Sequence, residues 1–224
     1  MKILLVAATQ AECEPLLRLF EDTNRPAGLN LNNHETEILI TGVGMVATAF
    51  ALGRHLSLNR YDLVINLGIA GSFDFNLSIG EVVMITKDIF AELGAENGDE
   101  FLSLNELGFG DISQSANPGN AEAEPLQSSR LNLTALEELK RVKAITVNKV
   151  HGNEFTIAKT LSKYDAQVES MEGAAFFYAC SQMQARCMQI RAISNYVERR
   201  NQEKWNIGLA IKNLNAFMVR FLIN

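Results

Sequence analysis

Short apolar runs alternate with amphipathic stretches along the chain. The apolar runs of strand length lie at residues 3–7, 36–40, 63–67, 82–86, 144–147, 166–168 and 187–193. Several of them show no alternation of apolar and polar residues, which is typical of strands that are covered on both faces. Helical patterns separate the runs, at residues 10–21, 45–56, 134–140, 153–162, 173–183 and 206–221. This order predicts an α/β fold with a mainly parallel or mixed sheet and helices on both sides.

One segment interrupts this rhythm. Residues 88–130 are rich in Gly, Asn, Ser and acidic residues and include Pro118 and Pro125. So long a stretch without regular elements is unusual inside a compact domain. We expect a surface excursion with short elements, which closes the pocket or joins subunits. A chain of 224 residues suits a single α/β domain over residues 1–224.

The amino-acid composition argues against several classes of function. The 26 acidic against 20 basic residues give a net charge of −6, which argues against a nucleic-acid partner. No apolar run reaches the roughly 18 residues that a membrane helix needs. The first apolar run is short and acids follow it at once, so it predicts a buried strand and not a signal peptide. Three cysteines without metal-ligand spacing predict reduced thiols in a cytoplasmic protein, with no metal and no cofactor.

Two glycine-rich segments follow predicted strands. Residues 41–44 read Thr-Gly-Val-Gly before a helix, and residues 66–73 read Asn-Leu-Gly-Ile-Ala-Gly-Ser-Phe. Glycine lets a backbone approach a ligand, and a helix N-terminus presents free N–H groups. A tight turn explains the first segment equally well. Because ligands bind beyond the carboxyl ends of strands in open α/β sheets, Gly44, Ala70 and Gly71 become candidate pocket residues.

Carboxylates stand near two further strand ends. Glu12 follows the first strand, where it could face a ligand. Its spacing from Thr9 also fits a capping box, and from spacing alone the capping role is favoured over a role in the pocket. Glu169 and Glu172 follow the strand at 166–168. The alternative explanation for two acidic residues there is that the first turn of a helix favours negative charge through the helix dipole.

Ser194 and Asn195 end an apolar strand, where a plain Asn turn is the alternative. Phe155 is a possible stacking platform, although most Phe residues lie in cores. The shared location of these groups, at successive strand ends of one presumed sheet, raises the expectation of a single pocket.

Taken together these segments resemble the nucleoside phosphorylase/nucleosidase family, on its nucleosidase side. The specific segments are Met-Glu-Gly-Ala-Ala at 171–175 and Arg-Ala-Ile-Ser at 191–194, and the match follows the family's order along nearly the whole chain. Glu-Ser-Met-Glu-Gly-Ala-Ala at 169–175 resembles the branch that hydrolyses futalosine, in the alternative menaquinone pathway. The resemblance implies a three-layer α/β/α fold around a twisted mixed sheet.

The resemblance also implies residue roles. Glu12 matches the position that activates the attacking water, and Glu172 the carboxylate that binds ribose hydroxyls. Met171 packs against the sugar, Phe155 stacks on the base, and the Thr156 backbone contacts the base edge. The other predicted substrate-binding residues of the pocket are Gly44, Ala70, Gly71, Ser170 and Ser194.

Asn195 matches the purine-reading position, where adenine-specific relatives carry Asp. An amide donates to O6 or N7 of a 6-oxopurine but supplies no titrating proton, so Asn195 favours hypoxanthine over adenine. Two further departures from the family pattern are Ile69, where relatives often have a small hydroxyl residue, and the change around Gly152, where His151 and Asn153 stand in place of the family's frequent Ser and Asp. The sequence assigns no role to the second change.

Futalosine carries a carboxyphenyl group at the extended 5′ end of its ribose. Arg199 and Arg200 are the candidates for its carboxylate, with Tyr196 or Phe73 near the ring, although adjacent arginines on a loop are usually just solvated. The resemblance further implies a homo-oligomer, a dimer or larger, without fixing the number.

Other functions remain open at this point. A 6-oxopurine nucleoside phosphorylase would need arginines converging on phosphate, and the first loop offers Glu12 and no Arg before Arg18. A methylthioadenosine/S-adenosylhomocysteine or aminofutalosine nucleosidase is a second alternative, which Asn195 disfavours. A nucleoside-binding protein without activity is a third, and the presence of both Glu12 and Glu172 argues against it.

Overall fold

The computed structural model describes residues 1–21, 29–31, 34–117 and 131–222, which form strands and helices in alternation. The strands are β1 (Lys2–Ala7), β2 (Leu29–Leu31), β3 (His34–Ile40), β4 (Leu63–Ser72), β5 (Val82–Phe90), β6 (Gly94–Asn97), β7 (Glu100–Ser103), β8 (Ser113–Ser115), β9 (Lys140–Thr146), β10 (Val168–Ser170) and β11 (Cys187–Tyr196). The helices are α1 (Gln10–Glu21), α2 (Met45–Leu58), α3 (Leu133–Glu137), α4 (Glu154–Lys163), α5 (Gly173–Gln182) and α6 (Ile207–Leu222), with a 3-10 turn at Gln202–Lys204.

The main sheet is mixed, as predicted. Its strand order is β10-β9-β5-β11-β4-β1-β3-β2, with β8 paired to β5 and the β6–β7 hairpin separate. β11 runs parallel to β4 and antiparallel to β5. β10 also pairs antiparallel with β4, so the five strands β4, β11, β5, β9 and β10 close into a ring. The carboxyl ends of β4 and β11 therefore lie beside each other, and the start of β10 lies on the other side of β4.

Two apolar clusters cover the two faces of the sheet. Ile3, Leu5 and Ala7 of β1 belong to the cluster that includes α1 and α6, whereas Leu4 and Val6 belong to the cluster with α2 and α5. Successive side chains of a strand point to opposite faces. A strand covered on both sides is therefore apolar throughout, which explains the missing alternation. Helices on both faces make the predicted three-layer α/β/α arrangement.

Tertiary pairing shifts three predicted boundaries. β4 continues to Ser72, so residues 68–71 lie inside a strand and not in a loop after it. β5 continues to Phe90, so Asp88 is buried in the sheet and does not begin the excursion. Lys140 begins β9, where it pairs with Val83, instead of ending a helix. Of the predicted excursion, residues 94–115 contribute β6, β7 and β8, and residues 118–130 lie outside the described residues.

Within the described ranges, no helix is long and apolar enough to cross a membrane.

Candidate active site

Glu12 lies in the first turn of α1, and only 7% of the residue is exposed. Its Oε2 accepts hydrogen bonds from Thr9 N at 3.0 Å and from Thr9 Oγ1 at 3.1 Å. Its Oε1 accepts from Ile69 N of β4 at 3.1 Å. The carboxylate therefore caps the helix with one oxygen and reaches the middle of the sheet with the other. The capping and pocket interpretations of Glu12 are both compatible with this geometry.

Glu172 is the N-cap residue of α5 and is 6% exposed. Its Oε1 accepts a hydrogen bond from Gly44 N at 3.0 Å. Gly44 has a φ of 96°, a backbone conformation that favours glycine, and α2 begins at the next residue. The glycine-rich turn after β3 is thus joined to the start of α5.

Arg191 brings the two carboxylates into one cluster. It is 1% exposed, and its Nη2 lies 4.0 Å from Glu172 Oε2. Its Nη1 lies against Gly68, where a Cβ would overlap Nη1 and would come within 2.9 Å of Glu12 Oε1. The guanidinium therefore lies near both Glu12 and Glu172, and its charge offsets part of the cost of burying them. Sequence reasoning did not select Arg191, although an arginine inside an apolar strand run was a signal that could have found it.

Asn195 is held in one orientation at the end of β11. Its Nδ2 donates to Tyr196 O at 3.0 Å, and its Oδ1 accepts from Ser194 Oγ at 2.8 Å. Ser194 Oγ also lies 3.2 Å from Ala70 O. A β-bulge between Ile193 and Asn195 places Asn195 opposite Gly71 of β4. One Nδ2 hydrogen remains without a partner in these contacts and is available to a ligand.

Phe155 is 76% exposed in the first turn of α4, so the default expectation of a core position is wrong. Asn153 caps this helix by accepting from Phe155 N at 3.0 Å and from Thr156 N at 3.3 Å. The Thr156 N–H that was expected at the base edge thus already has a partner. Phe155 and Asn153 line a pocket of about 460 Å³ together with Gly152, Glu154 and Arg199.

Glu169 and His151 form a buried pair between Asn195 and α4. Glu169 Oε1 accepts from His151 N at 3.0 Å, and its Oε2 lies 2.5 Å from His151 Nδ1. His151 Nε2 lies 2.9 Å from Thr160 Oγ1 of α4. Glu169 is paired with Gly71 across β10 and β4. His151, without a role at the level of sequence, therefore ties α4 to the strand ends.

The two candidate arginines lie in different surroundings. Arg199 borders the pocket beside Phe155, whereas the Arg200 guanidinium lies 4.8 Å above the Trp205 ring. The candidate rings have different partners: Tyr196 packs on Phe75 at 4.7 Å, and Phe73 meets His151 edge-on at 6.1 Å.

Ser170 and Met171 lie between the Glu169 pair and Glu172. Ser170 Oγ is buried and has no hydrogen-bond partner among the described residues. Met171 is half-buried. A ligand hydroxyl would satisfy the unpaired Oγ, which an apolar neighbour cannot do.

The cluster can do acid–base and electrostatic chemistry on a bound ligand. No three His, Cys, Asp or Glu side chains are grouped as metal ligands in the part of the chain that the structure describes. Burial and the neighbouring Glu12 raise the pKa of Cys13 to about 11, so this thiol stays protonated and is not a nucleophile near neutral pH. The groups that remain for chemistry are the carboxylates of Glu12 and Glu172, the Arg191 guanidinium and the Asn195 amide, with the Glu169–His151 pair beside them.

A model of the phosphorylase superfamily matches residues 2–223. The chain is 29% identical over 226 residues to a futalosine hydrolase of Streptomyces coelicolor, covering 96% of this chain and 92% of that protein. It is 27% identical over 240 residues to a 5'-methylthioadenosine/S-adenosylhomocysteine nucleosidase of Glaesserella parasuis, covering 100% and 99% of the two chains.

Among solved structures, the fold is similar to that of a 5'-methylthioadenosine/S-adenosylhomocysteine nucleosidase of Helicobacter pylori. The TM-score is 0.78 at 17% identity, over 97% of this chain and 96% of the other.

Proposed function

Because the chain belongs to the phosphorylase superfamily, we propose that it is a purine nucleosidase that hydrolyses futalosine to hypoxanthine and dehypoxanthine futalosine. The observation that carries the proposal is the pair of buried carboxylates, Glu12 and Glu172, near the buried Arg191. Cleavage of an N-glycosidic bond builds positive charge on the ribose, and nearby carboxylates stabilise that charge more than the neutral ground state.

Glu12 is the proposed general base. Water adds to C1′ and passes a proton to the Glu12 carboxylate, while the electron pair of the C1′–N9 bond leaves with the purine. The purine then takes up a proton. Both Glu12 oxygens already accept backbone or hydroxyl hydrogen bonds, which hold the carboxylate in place before water binds. A positioned base of this kind typically contributes about 10²- to 10⁴-fold to the rate.

Glu172 is the proposed partner of the ribose hydroxyls. Its Oε1 is held by Gly44 N, which leaves Oε2 on the side of Arg191. Ser170 Oγ, buried without a partner in the described part of the chain, is a second group for the ribose, and Met171 packs on the sugar.

Asn195 is the proposed reader of the purine. The amide oxygen of Asn195 accepts from Ser194, and its nitrogen donates to the Tyr196 carbonyl. The second Nδ2 hydrogen is therefore the one proposed to bind an acceptor of the ligand. A 6-oxopurine offers O6 and N7 as acceptors, whereas the 6-amino group of adenine is a donor. A site built for one pattern rejects the other strongly. Phe155 is the proposed stacking partner of the base.

Arg199 is the proposed partner of the futalosine carboxylate, because it borders the pocket beside Phe155. Arg200 lies on Trp205 and lines a neighbouring pocket together with Arg199, so it stays the second candidate for that carboxylate.

The same geometry disfavours phosphate as acceptor. Arg191 is the one buried arginine of the described residues, and Glu12 and Glu172 stand beside it. A phosphate dianion there would meet two carboxylates at short range. The relatives include both futalosine hydrolases and methylthioadenosine/S-adenosylhomocysteine nucleosidases, so the choice of base rests on Asn195.

A substrate panel tests the proposal. Purine release is measured from futalosine, aminofutalosine, inosine, methylthioadenosine and adenosylhomocysteine, each with and without phosphate. Phosphate-independent hypoxanthine release from futalosine is expected. Adenine release as the main activity would reject the assigned base, phosphate dependence would reject hydrolysis, and no release would favour a nucleoside-binding protein.

Glu12→Gln and Glu172→Gln test the two carboxylates. We expect kcat on futalosine to fall by about 10²- to 10⁴-fold in Glu12→Gln, because an amide takes no proton from water. Glu172→Gln should lower kcat and also weaken nucleoside binding. The matched control is Glu14→Gln on the exposed side of the same helix, where the carboxylate pairs with Arg18. Wild-type turnover in both site variants would remove these residues from the mechanism.

A further inference from the structure

Asp88 is a fully buried carboxylate behind the candidate site. It lies in β5, a strand of the closed ring, at 0% exposure. Its Oδ1 accepts a hydrogen bond from Thr146 Oγ1 of β9 at 2.7 Å, and its Oδ2 accepts from Gln189 Nε2 of β11 at 3.0 Å. Carboxylates are almost never fully buried without such partners, and the proposed chemistry makes no use of this one.

The hydrogen bonds of Asp88 to Gln189 and Thr146 begin a network with two branches. The first branch leads through Gln189 to Arg191. Gln189 Oε1 accepts from Arg191 Nε at 3.0 Å and from Arg191 Nη2 at 2.9 Å. The Gln189 amide can present its oxygen to Arg191 only because its nitrogen donates to Asp88. On the far side, Arg191 Nη2 donates to Asn66 Oδ1 at 2.5 Å. The guanidinium near the two site carboxylates is thus held from behind.

The second branch leads to Glu172. The Thr146 hydroxyl donates its single hydrogen to Asp88, so its lone pair is free to accept from Ala174 N at 2.8 Å. A Cβ at Gly173 would overlap both Asp88 Oδ2 and Gln189 Oε1, so the first turn of α5 is packed directly on the network. Glu172 is the N-cap of that turn.

We propose that Asp88 is a positioning residue for the reaction, which orients Arg191 through Gln189 and holds the first turn of α5, with Glu172, through Thr146. The inference rests on the proposed function. Asp88 touches no substrate in this scheme. Its task is to accept two hydrogen bonds at once, which fixes the donor–acceptor order of both branches.

Ionisation of Asp88 matters for that task, because only the carboxylate accepts on both oxygens. Burial raises its pKa to about 6, while the hydrogen bonds from Thr146 and Gln189 and the charge of Arg191 act in the opposite direction. The groups that face it are Thr146 from β9, Gln189 and Arg191 from β11 and the uncharged Gly173 of α5. Lys87, its neighbour on β5, is exposed. Protonation below about pH 6 should therefore loosen both branches.

Three variants test the donor–acceptor order: Asp88→Asn, Gln189→Glu and the double change. In Asp88→Asn, the side chain has one acceptor oxygen and can serve only one branch. If the oxygen faces Thr146, Gln189 must turn its own N–H₂ toward Arg191, where donor meets donor; if it faces Gln189, the Thr146 hydroxyl loses its acceptor. The double variant restores the order, because the new carboxylate at position 189 accepts both from the new amide at position 88 and from Arg191. Gln189→Glu alone sets two carboxylates against each other.

We expect kcat on futalosine to fall by roughly 10- to 100-fold in each single variant, with a smaller change in KM. The double variant should recover to within about 3-fold of the unaltered protein. In the double variant, the fall of kcat on the acid side of its pH profile should move to lower pH, because the carboxylate introduced by Gln189→Glu pairs directly with Arg191. Melting temperatures of all four proteins serve as the check on folding.

Wild-type kcat in folded Asp88→Asn would overturn the proposal, and so would a folded double variant no more active than the single ones. The unaltered protein is first assayed on the substrate panel. If it releases no purine, the proposed function fails on its own. A double-mutant cycle on the free energies of unfolding then decides whether residues 88 and 189 are coupled. If the effects of Asp88→Asn and Gln189→Glu on the free energy of unfolding are additive, the network is rejected as well.

Discussion

In the proposed function, the choice of base rests on a single amide, that of Asn195. Its oxygen faces the Ser194 hydroxyl and its nitrogen faces the Tyr196 carbonyl, so its two ends are not interchangeable. An aspartate in this place would set an oxygen against the Tyr196 carbonyl unless that oxygen carries a proton. Such an arrangement favours the protonated acid, whose single hydrogen can be donated to the Tyr196 carbonyl or, in its place, to a purine N7.

Asn195→Asp should therefore shift the protein from hypoxanthine toward adenine. We expect kcat/KM for futalosine to fall by roughly 10- to 100-fold, with a relative gain on aminofutalosine and methylthioadenosine. The ratio of the two kcat/KM values is the measurement. Asn97→Asp on the exposed β6 adds the same charge away from the site and should leave the ratio unchanged. An unaltered ratio in Asn195→Asp would mean that another group reads the base.

At the scale of elements, α4 differs from the other helices of the site. None of its residues is buried, although it carries Phe155 and Thr156. Polar contacts hold it instead: the Asn153 cap at its start, and further along the bond between Thr160 and His151, which is anchored in turn on Glu169. A helix without a buried face depends strongly on its cap.

Asn153→Ala should loosen the first turn of α4. Loss of an N-cap typically costs about 0.5–2 kcal/mol of helix stability. Because Phe155 stands in that turn, we expect KM for futalosine to rise several-fold while kcat changes less. Steady-state kinetics against Ser162→Ala, an exposed position near the other end of α4, provides the comparison. A fall in kcat alone, with KM unchanged, would place Asn153 in the chemistry and not in binding.

At the scale of the whole molecule, the closed ring of strands creates the site. Because β10 pairs with β4 on one side and β11 pairs with it on the other, Glu169 and Asn195 both lie opposite Gly71. Asp88 is buried on β5, a strand of the same ring, under the first turn of α5. Burying a charge costs stability of the whole fold, even where hydrogen bonds return part of it.

The cost of burying the charged form of Asp88 predicts that the free energy of unfolding depends on pH. The native pKa of Asp88, about 6, lies above the ordinary value of 3.8, so the native state binds the proton more tightly than the unfolded chain. Its contribution to the free energy of unfolding should fall as pH rises from about 4 to about 6, by roughly 3 kcal/mol in total, and stay level outside that window.

Urea unfolding of the unaltered protein and of Asp88→Asn over pH 4–7 measures this contribution as the difference between the two curves. Other groups titrate in both proteins and cancel to first order. A difference that is constant over this pH range would show that Asp88 keeps an ordinary pKa in the fold.

Patterns within short windows of sequence determined the elements. Apolar runs indicated the strands because both faces are covered, and the glycines and acids at strand ends marked Gly44, Glu12, Glu172 and Asn195 as neighbours in one pocket. Those inferences need only local periodicity and the rule that ligands bind at carboxyl ends of strands. The family resemblance is confirmed by the model match over residues 2–223.

Only the tertiary structure decided which partners these residues have. Arg191 meets Asn66, Asp88 meets Thr146 and Gln189, and these contacts join strand residues that are 58 to 125 positions apart in the sequence. Strand order and register set such contacts, and neither is written in a local pattern. The sequence by itself therefore determined the elements and the types of groups at their ends, whereas the closed sheet decided which charges are buried together, because burial and pairing exist only once distant strands are side by side.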